Sequence, residues 1–428
     1  MHCEFLQSAI SSAKREYKTL CLSESVCLEP THTFYLPPPY PPSPPPSDLR
    51  CVTAIMLRYV CPDVLADTYK FSPSGIYFAP PSGKVEAMCE YATNLPLNDD
   101  PEIFGLHLNA NIASQRTETN NLIETVLSLQ PRSSGTKGGH TPDEVVGNIC
   151  RSIETALPAS LNIDDANPTT FQKKGEHMDS LGIVLMQEIE RFNLLLAGMR
   201  SSLTDLQRAI RGEVLLSEEL DMMFTAMLNN KVPKNWEVLA YPSLKPLASW
   251  VKDLYERLRI MRAWLVGGQP QAFWISGFFF PQGFLTGVLQ NYARKYAIAI
   301  DQLNFGFTVR DEVLPTDIAP ENVPADGVLV YGLYFDGARW DMENKLVTDS
   351  RPGEINSSLP IIHFIPVKDY KPDPTEYSAP CYKTSTRAGT LSTTGMSTNY
   401  VISVELPTSD TPAKWILAGA ALLCQLND

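Results

Sequence analysis

The 428-residue sequence lacks the patterns that usually reveal a chemical activity. It contains no G-x-x-x-x-G-K-[ST] phosphate loop, no G-x-S-x-G nucleophile turn and no H-E-x-x-H zinc motif. Its six histidines show no spacing typical of metal ligands. The residues alone therefore predict a binding or structural protein, with no catalytic, cofactor-binding or metal-binding residue to assign.

Disulfide frameworks, membrane spans and basic surfaces are missing as well. The nine cysteines are odd in number and form no C-x-x-C pair, which predicts reduced thiols in a protein without a visible secretion signal. No unbroken run of about 18 apolar residues is present, so a transmembrane helix is not expected. The net charge of −13 argues against nucleic acid, an anionic membrane or a tubulin surface as a direct partner.

What the sequence does contain is an aromatic segment, residues 273–294 (FWISGFFFPQGFLTGVLQNYAR). Each aromatic ring buries roughly 150–250 Å², so six rings remove about 1,000 Å² from water. At about 25 cal/mol per Å², the upper bound is on the order of 25 kcal/mol. We therefore predict that the segment is buried between other elements or at an interface, and that a helix follows Pro281. The candidate structural residues are Phe273, Trp274, Phe278, Phe279, Phe280 and Phe284.

The periodicity of the sequence changes near residue 300. Between Leu181 and Ile210, apolar residues at steps of three and four form one seam, and apolar residues beside it favour a helix packed on its own protein over a coiled-coil dimer. Helices are also predicted at residues 117–130 and at residues 247–266, and Gly267 and Gly268 mark the end of the second. After residue 300, short alternating runs predict strands of a small antiparallel barrel or sandwich. The fold class is thus α+β, with helices in the first two-thirds.

Two low-complexity segments carry open alternatives. Residues 36–47 (LPPPYPPSPPPS) favour polyproline II, which fits a stiff spacer or disordered leader better than a ligand for an SH3 or WW domain. Residues 133–141 (SSGTKGGHT) favour a surface loop over a phosphate-binding loop, because His140 follows the last glycine.

Arg351 and Arg387 are further candidate structural or interface residues. Arg351 lies in DSRPGE between acidic residues, which indicates an ion-paired turn more than a catalytic arginine. Arg387 lies in a Ser/Thr-rich segment, residues 384–398, where phosphate binding is possible but turn and strand hydrogen bonding is the simpler interpretation. His363 falls in an expected strand and is interpreted as a hydrogen-bonded core histidine. A hydrolase built on residues 384–398 would lack a base and an orienting acid.

Seven long segments resemble the C-terminal end of dynein heavy chains, and most closely the axonemal branch. The resemblance runs from about residue 59 to residue 428, whereas residues 1–50 do not match. Family members often carry a histidine where this sequence has Met396. The matching segments are 64–81 (VLADTYKFSPSGIYFAPP), 95–112 (LPLNDDPEIFGLHLNANI), 241–254 (YPSLKPLASWVKDL), 273–296 (FWISGFFFPQGFLTGVLQNYARKY), 326–341 (DGVLVYGLYFDGARWD), 349–354 (DSRPGE) and 382–395 (YKTSTRAGTLSTTG).

The resemblance implies a domain organisation. Residues 59–129 would form the helical small subdomain (lid) of the sixth AAA+ module. Residues 130–300 would form the helical part of the dynein C-terminal domain, and residues 301–428 its antiparallel β-barrel. Residues 1–50 would be an unmatched leader. The resemblance also favours a strand for the apolar run at residues 415–426.

The resemblance further implies a role. The parent would be an ATP-driven, minus-end-directed microtubule motor of the cilium axoneme. This segment would be inactive alone and would brace the AAA+ ring, with ATP and Mg²⁺ bound by upstream modules of the same polypeptide. Implied partners are those modules, the dynein intermediate and light intermediate chains, and microtubules through the stalk of the parent. The implied location is the cytoplasm, the cytoskeleton and the cilium axoneme. The alternative is a stand-alone, non-catalytic interaction or regulatory module derived from the dynein C-terminus.

Overall fold

The computed structural model describes residues 59–66, 69–72, 74–78, 85–96, 103, 108–129, 141–168, 170–171, 173–174, 177–387 and 398–427. The predictions for residues 1–50, for residues 133–140 and for Met396 lie outside these ranges. The protein divides into two compact units. The first comprises residues 1–115 and 416–419, and the second comprises residues 116–415 and 420–428.

In the described part of the protein, helices dominate up to residue 296. None of them is both long and apolar enough to cross a membrane. The helices are α1 (Val85–Asn94), α2 (Leu108–Leu129), α3 (Pro142–Ala156), α4 (Ser180–Ile210), α5 (Glu218–Leu228), α6 (Lys234–Leu239), α7 (Leu247–Gly267), α8 (Pro281–Tyr296) and α9 (Pro412–Leu417).

The first unit is small and held by aromatic contacts. The rings of Phe78 and Tyr91 lie 4.5 Å apart, and the Tyr91 hydroxyl accepts a hydrogen bond from the Phe78 backbone N–H. The rings of Tyr59 and Phe71 stack at 4.8 Å. Helix α2 begins at Leu108, although the turn-forming residues before it predict a start near residue 117. Such residues set only a weak preference against helix, which neighbouring structure can override.

The second unit is organised around α4, which has 31 residues. One face of α4 is buried along its length, with Leu185, Phe192 and Leu203 fully inaccessible. The prediction that this helix packs on its own protein is therefore confirmed. Helix α3 begins with a complete capping box, in which Thr141 and Glu144 exchange side chain to backbone hydrogen bonds.

Thirteen strands are described, and all but the first three follow α8, as predicted. They are β1 (Lys173–Lys174), β2 (His177–Met178), β3 (Ala272–Trp274), β4 (Leu303–Val309), β5 (Val328–Tyr331), β6 (Tyr334–Asp336), β7 (Arg339–Asp341), β8 (Leu346–Thr348), β9 (Asn356–Ser358), β10 (Ile362–Lys368), β11 (Tyr377–Tyr382), β12 (Tyr400–Leu406) and β13 (Ala421–Leu423). Among these described strands, β1 pairs with β2 and β7 pairs with β8 as separate two-stranded sheets.

The predicted closed antiparallel barrel is wrong. The larger sheets are open, with strand orders β3-β5-β10-β4 and β12-β11-β13-β6-β9. Each also contains a parallel pair, because β3 runs parallel to β5 and β11 runs parallel to β13. Alternating apolar and polar residues identify a strand but not the strand that it pairs with. In each of the two parallel pairs, the paired strands lie far apart in the sequence, so local patterns do not predict the pairing.

The C-terminal apolar run also differs from the strand prediction. It forms the end of helix α9 and then strand β13, with a turn at Gly419 between them. Gly419 has φ of 65°, a left-handed conformation that glycine adopts without steric strain. Each element buries apolar side chains, since Trp415 on α9 and Leu422 on β13 are inaccessible to solvent. An apolar run of this kind is compatible with either structure.

Glu405 on β12 makes the stability of the second unit depend on pH. Burial, helped by the nearby charge of Glu376, raises the pKa of Glu405 to about 7. The folded protein therefore binds this proton more tightly than the unfolded one. The contribution of Glu405 to stability falls as the pH rises from about 4.5 to 7 and does not change further above that. We expect Glu405→Gln to stabilise the protein at pH 8.5 by about 1–2 kcal/mol, a value reduced for the partly exposed carboxyl, and to change little at pH 5.

Guanidinium unfolding curves at the two pH values would measure this difference. Glu321→Gln, which changes an exposed carboxylate, is the matched control and should be neutral at both. An equal effect of Glu405→Gln at pH 5 and pH 8.5 would refute the titration argument.

Candidate functional site

The aromatic segment connects the sheets to the helices. Strand β3 places Phe273 at the edge of the four-stranded sheet, a short 3-10 turn (Ile275–Gly277) follows, and α8 begins at Pro281. Phe273, Phe278, Phe279 and Phe284 are each at most 7% exposed. Their ring contacts extend to α4 and α7. The ring centres of Phe279 and Phe192 lie 4.6 Å apart, and those of Phe273 and Trp264 lie 5.2 Å apart.

Phe280 departs from the predicted burial. Its side chain is 48% exposed, and its ring lies 5.7 Å from the ammonium group of Lys383. Phe280 is the N-cap residue of α8, so its backbone orientation is set by the start of the helix and its ring turns away from the core. Trp274 is half-buried. The other four rings form the buried part of the segment.

Beside these rings lies a buried charged cluster, here called the Arg257 node, consisting of Arg257, Asp253, Tyr241, Ser276 and Gln425. The Arg257 side chain is 1% exposed, and its Nε donates to Asp253 Oδ2 at 2.6 Å. One terminal nitrogen donates to the Ser276 carbonyl oxygen, and the other donates to Ser276 Oγ at 3.1 Å and to Gln425 Oε1 at 3.4 Å.

The Arg257 node joins three distant parts of the sequence. Arg257 and Asp253 lie one turn apart on α7, Ser276 belongs to the aromatic segment, and Gln425 lies beyond the last strand. The guanidinium group also lies 3.6 Å from the centre of the Tyr241 ring, a cation–π contact in the loop before α7. Burial raises the pKa of Tyr241, so its hydroxyl stays neutral. A guanidinium this far from water is tolerated because its charge is paired with Asp253 and each of its three nitrogens donates a hydrogen bond.

A second polar contact fixes the start of α8. Glu188 on α4 is 3% exposed, and its carboxylate accepts hydrogen bonds from the backbone N–H groups of Phe279 at 2.7 Å and Phe280 at 3.1 Å. These amides precede the first turn of α8, where N–H groups otherwise lack partners and where a negative charge is favourable. Burial raises the pKa of Glu188, while the two amides oppose that shift.

The two helices approach closely where Glu188 acts. A side chain added at Gly287 on α8 would come within 3.1 Å of Val184 on α4, so this position favours glycine. Helix α4 therefore holds α8 both by a carboxylate cap and by direct backbone approach.

A cavity of ≈ 10 Å³ opens next to the Arg257 node, close to the space needed by one water molecule. Tyr241, Arg257, Ser276, Lys383 and Cys424 contribute to its lining. Burial lowers the pKa of Lys383, although the nearby Cys424 and Glu188 favour its charged form. This volume is too small for an organic substrate. Within the described ranges, no three His, Cys, Asp or Glu side chains are grouped so that they could hold a metal ion.

The remaining sequence candidates lie apart from the node. Arg351 is exposed in a turn where its backbone exchanges hydrogen bonds with Glu354. Arg387 forms an ion pair of 2.7 Å with Asp336 on β6. His363 is half-buried, and its Nε2 lies 2.9 Å from the Asp326 carbonyl oxygen, which confirms the hydrogen-bonded histidine expected there.

Sequence reasoning missed Arg257 and Glu188, although a signal for both was present. Arg257 lies on the same helical stripe as the apolar residues Leu254 and Met261, and Glu188 lies on the stripe of Leu185 and Phe192. A charged residue inside an apolar stripe must be paired or hydrogen-bonded when the stripe is buried. The partners could not be read from the sequence, because they lie on other elements.

The cysteines of the second unit are buried thiols. The sulfurs of Cys381 and Cys424 lie 3.6 Å apart, and this contact together with burial raises the pKa of Cys381. Burial raises the pKa of Cys150 to about 12. We expect iodoacetamide at pH 8 to alkylate these three at least about 100-fold more slowly than the exposed Cys89 in the native protein, because the thiolate is the reacting species.

Peptide mass spectrometry would follow each thiol separately, with guanidinium-unfolded protein as the control in which all of them react. Rapid labelling of Cys381 or Cys424 in the native protein would contradict the buried packing of β11 and β13.

Comparison with known proteins identifies both family and individual relatives. The sequence profile of the AAA lid domain of the dynein heavy chain matches residues 46–110, and the profile of the C-terminal domain of the dynein heavy chain matches residues 116–424. The protein is 47% identical over 400 residues to dynein axonemal heavy chain 6 of Homo sapiens. It is 44% identical over 385 residues to dynein axonemal heavy chain 1 of Rattus norvegicus, and 43% identical over 364 residues to dynein axonemal heavy chain 12 of Homo sapiens.

These alignments cover 84–89% of this sequence but only 8–11% of the relatives. The sequence thus spans about a tenth of the length of the curated relatives that it matches.

Proposed function

The chain belongs to the dynein heavy chain family, and on that premise we propose that it forms the C-terminal part of an axonemal heavy chain. The parent protein would be an ATP-driven, minus-end-directed microtubule motor that moves cilia. This part would be non-catalytic and would brace the AAA+ ring. The names of the relatives support the axonemal assignment.

The observation that carries the bracing role is the connection of α4, α7, α8 and the C-terminal residues through the Arg257 node and Glu188. Packed interfaces of this kind shift between discrete arrangements instead of deforming smoothly. A displacement imposed on one end of α4 would therefore be transmitted to α8 by the Glu188 cap and the close contact at Gly287. This is the mechanical property that a brace requires.

The cofactors and partners of the proposed motor lie outside this segment. With no phosphate-loop sequence here, ATP and Mg²⁺ would bind upstream modules of the same polypeptide. Those modules would be the direct partners of this part. Intermediate and light intermediate chains would associate through the complete complex, and microtubules would be contacted through the stalk. The location would be the axoneme within the cytoskeleton of the cilium.

The test places Glu188→Gln in the complete parent motor. The substitution keeps the size of the side chain but removes one of the two oxygen acceptors that hold the start of α8. We expect microtubule gliding velocity to fall at least about twofold with the ring still assembled, because changes within a coupling element alter coupling by about 0.5–2 kcal/mol. Gliding velocity and ring integrity would be measured by a surface gliding assay and by electron microscopy.

Glu190→Gln, on the exposed face of the same helix, is the matched control and should leave gliding unchanged. Normal gliding by both variants would refute the bracing role. Absence of any microtubule-stimulated ATPase in the complete parent motor would refute the motor assignment itself.

A further inference from the structure

The turn between α4 and α5 and the first residues of α5, together called the acidic tip, comprise residues 211–222. Helix α4 ends at Ile210, Gly212 adopts φ of 76°, and Ser217 caps α5 by accepting a hydrogen bond from the Leu220 backbone N–H. Every residue from 211 to 219 is exposed. The backbone of the tip is therefore held at both ends, while the side chains of residues 211–219 face solvent.

Three consecutive apolar side chains lie in this exposed stretch. Val214 is 38% exposed, Leu215 is 91% exposed and Leu216 is 51% exposed. Leu215 is the most exposed large apolar side chain in the ranges that the structure covers. Neither helix needs these residues for its core-facing stripe, and the turn itself is formed by Gly212 and Ser217. Contiguous exposed apolar residues bordered by polar ones are typical of interaction surfaces.

The charges around these residues are mainly negative. Glu213, Glu218, Glu219 and Asp221 flank the apolar trio on both sides. Two basic residues, Arg208 in the last turn of α4 and Arg211 in the tip, form ion pairs with Glu213 at 3.6 and 2.7 Å. The acidic residues in the first turn of α5 are explained in part by the helix dipole, but the apolar residues beside them are not.

We propose that the acidic tip is a docking surface for a basic, amphipathic segment of a second protein. Leucine, isoleucine or phenylalanine side chains of that segment would cover Leu215 and Leu216. Its lysines or arginines would lie against Glu218, Glu219 and Asp221. This combination of an apolar centre and a charged rim is the usual anatomy of a protein interface.

Charge decides against other occupants. A second copy of this protein would bring two acidic tips together, and like charges at an interface disfavour association. Anionic membranes and nucleic acids are disfavoured for the same reason. The acidic tip shares no residue with the Glu188 contact or with the Arg257 node, so this inference does not depend on the bracing role.

The experiment measures binding of a fluorescent, synthetic amphipathic helix of leucine and lysine to the 428-residue protein by anisotropy. A leucine–glutamate helix and a lysine–serine peptide of the same charge as the probe serve as ligand controls. Of these three peptides, we expect only the leucine–lysine helix to bind tightly. Leu215→Ser combined with Leu216→Ser should weaken binding at least tenfold, and Glu218→Gln combined with Glu219→Gln should weaken it and reduce its dependence on salt.

The matched control variant is Val238→Ser on α6, which removes an apolar side chain of 77% exposure from another site and should leave binding unchanged. All substituted positions are exposed, and circular dichroism would verify that each variant is folded. Equal binding by all variants would show attraction to the acidic surface in general and would overturn the proposal. So would the absence of binding, or a homodimer in sedimentation experiments that the tip substitutions abolish.

Discussion

Replacing Arg257 with methionine is expected to destabilise the second unit by about 3–5 kcal/mol. The substitution keeps an unbranched side chain but leaves the buried Asp253 without its counter-charge, and it removes the donors to Ser276 and Gln425. Breaking one partner of a buried ion pair has this magnitude because an uncompensated charge remains in a poorly solvated site. Guanidinium unfolding followed by tryptophan fluorescence reports on this unit, because all six tryptophans lie in it.

The control lies two residues away on the same helix. Arg259 forms an ion pair of 2.5 Å with Glu256, but its side chain is 68% exposed, so Arg259→Met should cost no more than about 0.5 kcal/mol. If Arg257→Met prevents folding, Arg257→Lys provides the measurable variant. Lysine keeps the charge but lacks the planar set of donors, so Arg257→Lys should lose less stability than Arg257→Met and more than Arg259→Met. Equal stability of the Arg257 and Arg259 variants would contradict the importance of the node.

Replacing Phe279 with alanine is expected to cost about 3–5 kcal/mol, the range for removing a large aromatic side chain from a core. Phe279 is 7% exposed, and its ring centre lies 4.6 Å from that of Phe192 and 5.6 Å from that of Tyr241. The adjacent Phe280 is 48% exposed, so Phe280→Ala should cost about 1 kcal/mol or less. The same unfolding experiment measures both.

Comparing Phe279 with its neighbour Phe280 separates the effect of burial on stability from the effect of residue type. Both residues have the same side chain and belong to the same aromatic run, and the backbone N–H of each is held by Glu188. Losses of similar size for Phe279→Ala and Phe280→Ala would mean that the exposed orientation of Phe280 is incorrect. A small loss for Phe279→Ala would mean that this part of the core relaxes around the missing ring.

Local signals in the sequence were sufficient for much of the fold. The three- and four-residue spacing of apolar residues predicted α4 and α7 nearly to their ends, because one buried face on a helix imposes that period. Glycines at 267 and 268 predicted where α7 stops, and Gly268 has φ of 90°. The density of aromatic residues predicted that the segment around Phe278 is buried, because exposing so much apolar area is unfavourable.

Other features required the tertiary structure. The barrel prediction failed because strand β3 comes from the helical half of the sequence and pairs in parallel with β5. The start of α2 was missed because nearby turn-forming residues outweighed the helical pattern. Phe280 was predicted to be buried with its neighbours, since composition does not record which way a helix-capping residue turns.

The order of helices and strands, the buried aromatic segment and the membership of the dynein heavy chain family were all determined by the sequence itself. They depend on spacing between near neighbours or on long matching segments. The partners of Arg257 were decided only in three dimensions, where Gln425 reaches it across 168 positions of the sequence. Periodicity describes which face of an element is apolar, whereas a buried charge is satisfied by whatever polar atoms the complete fold brings to that face.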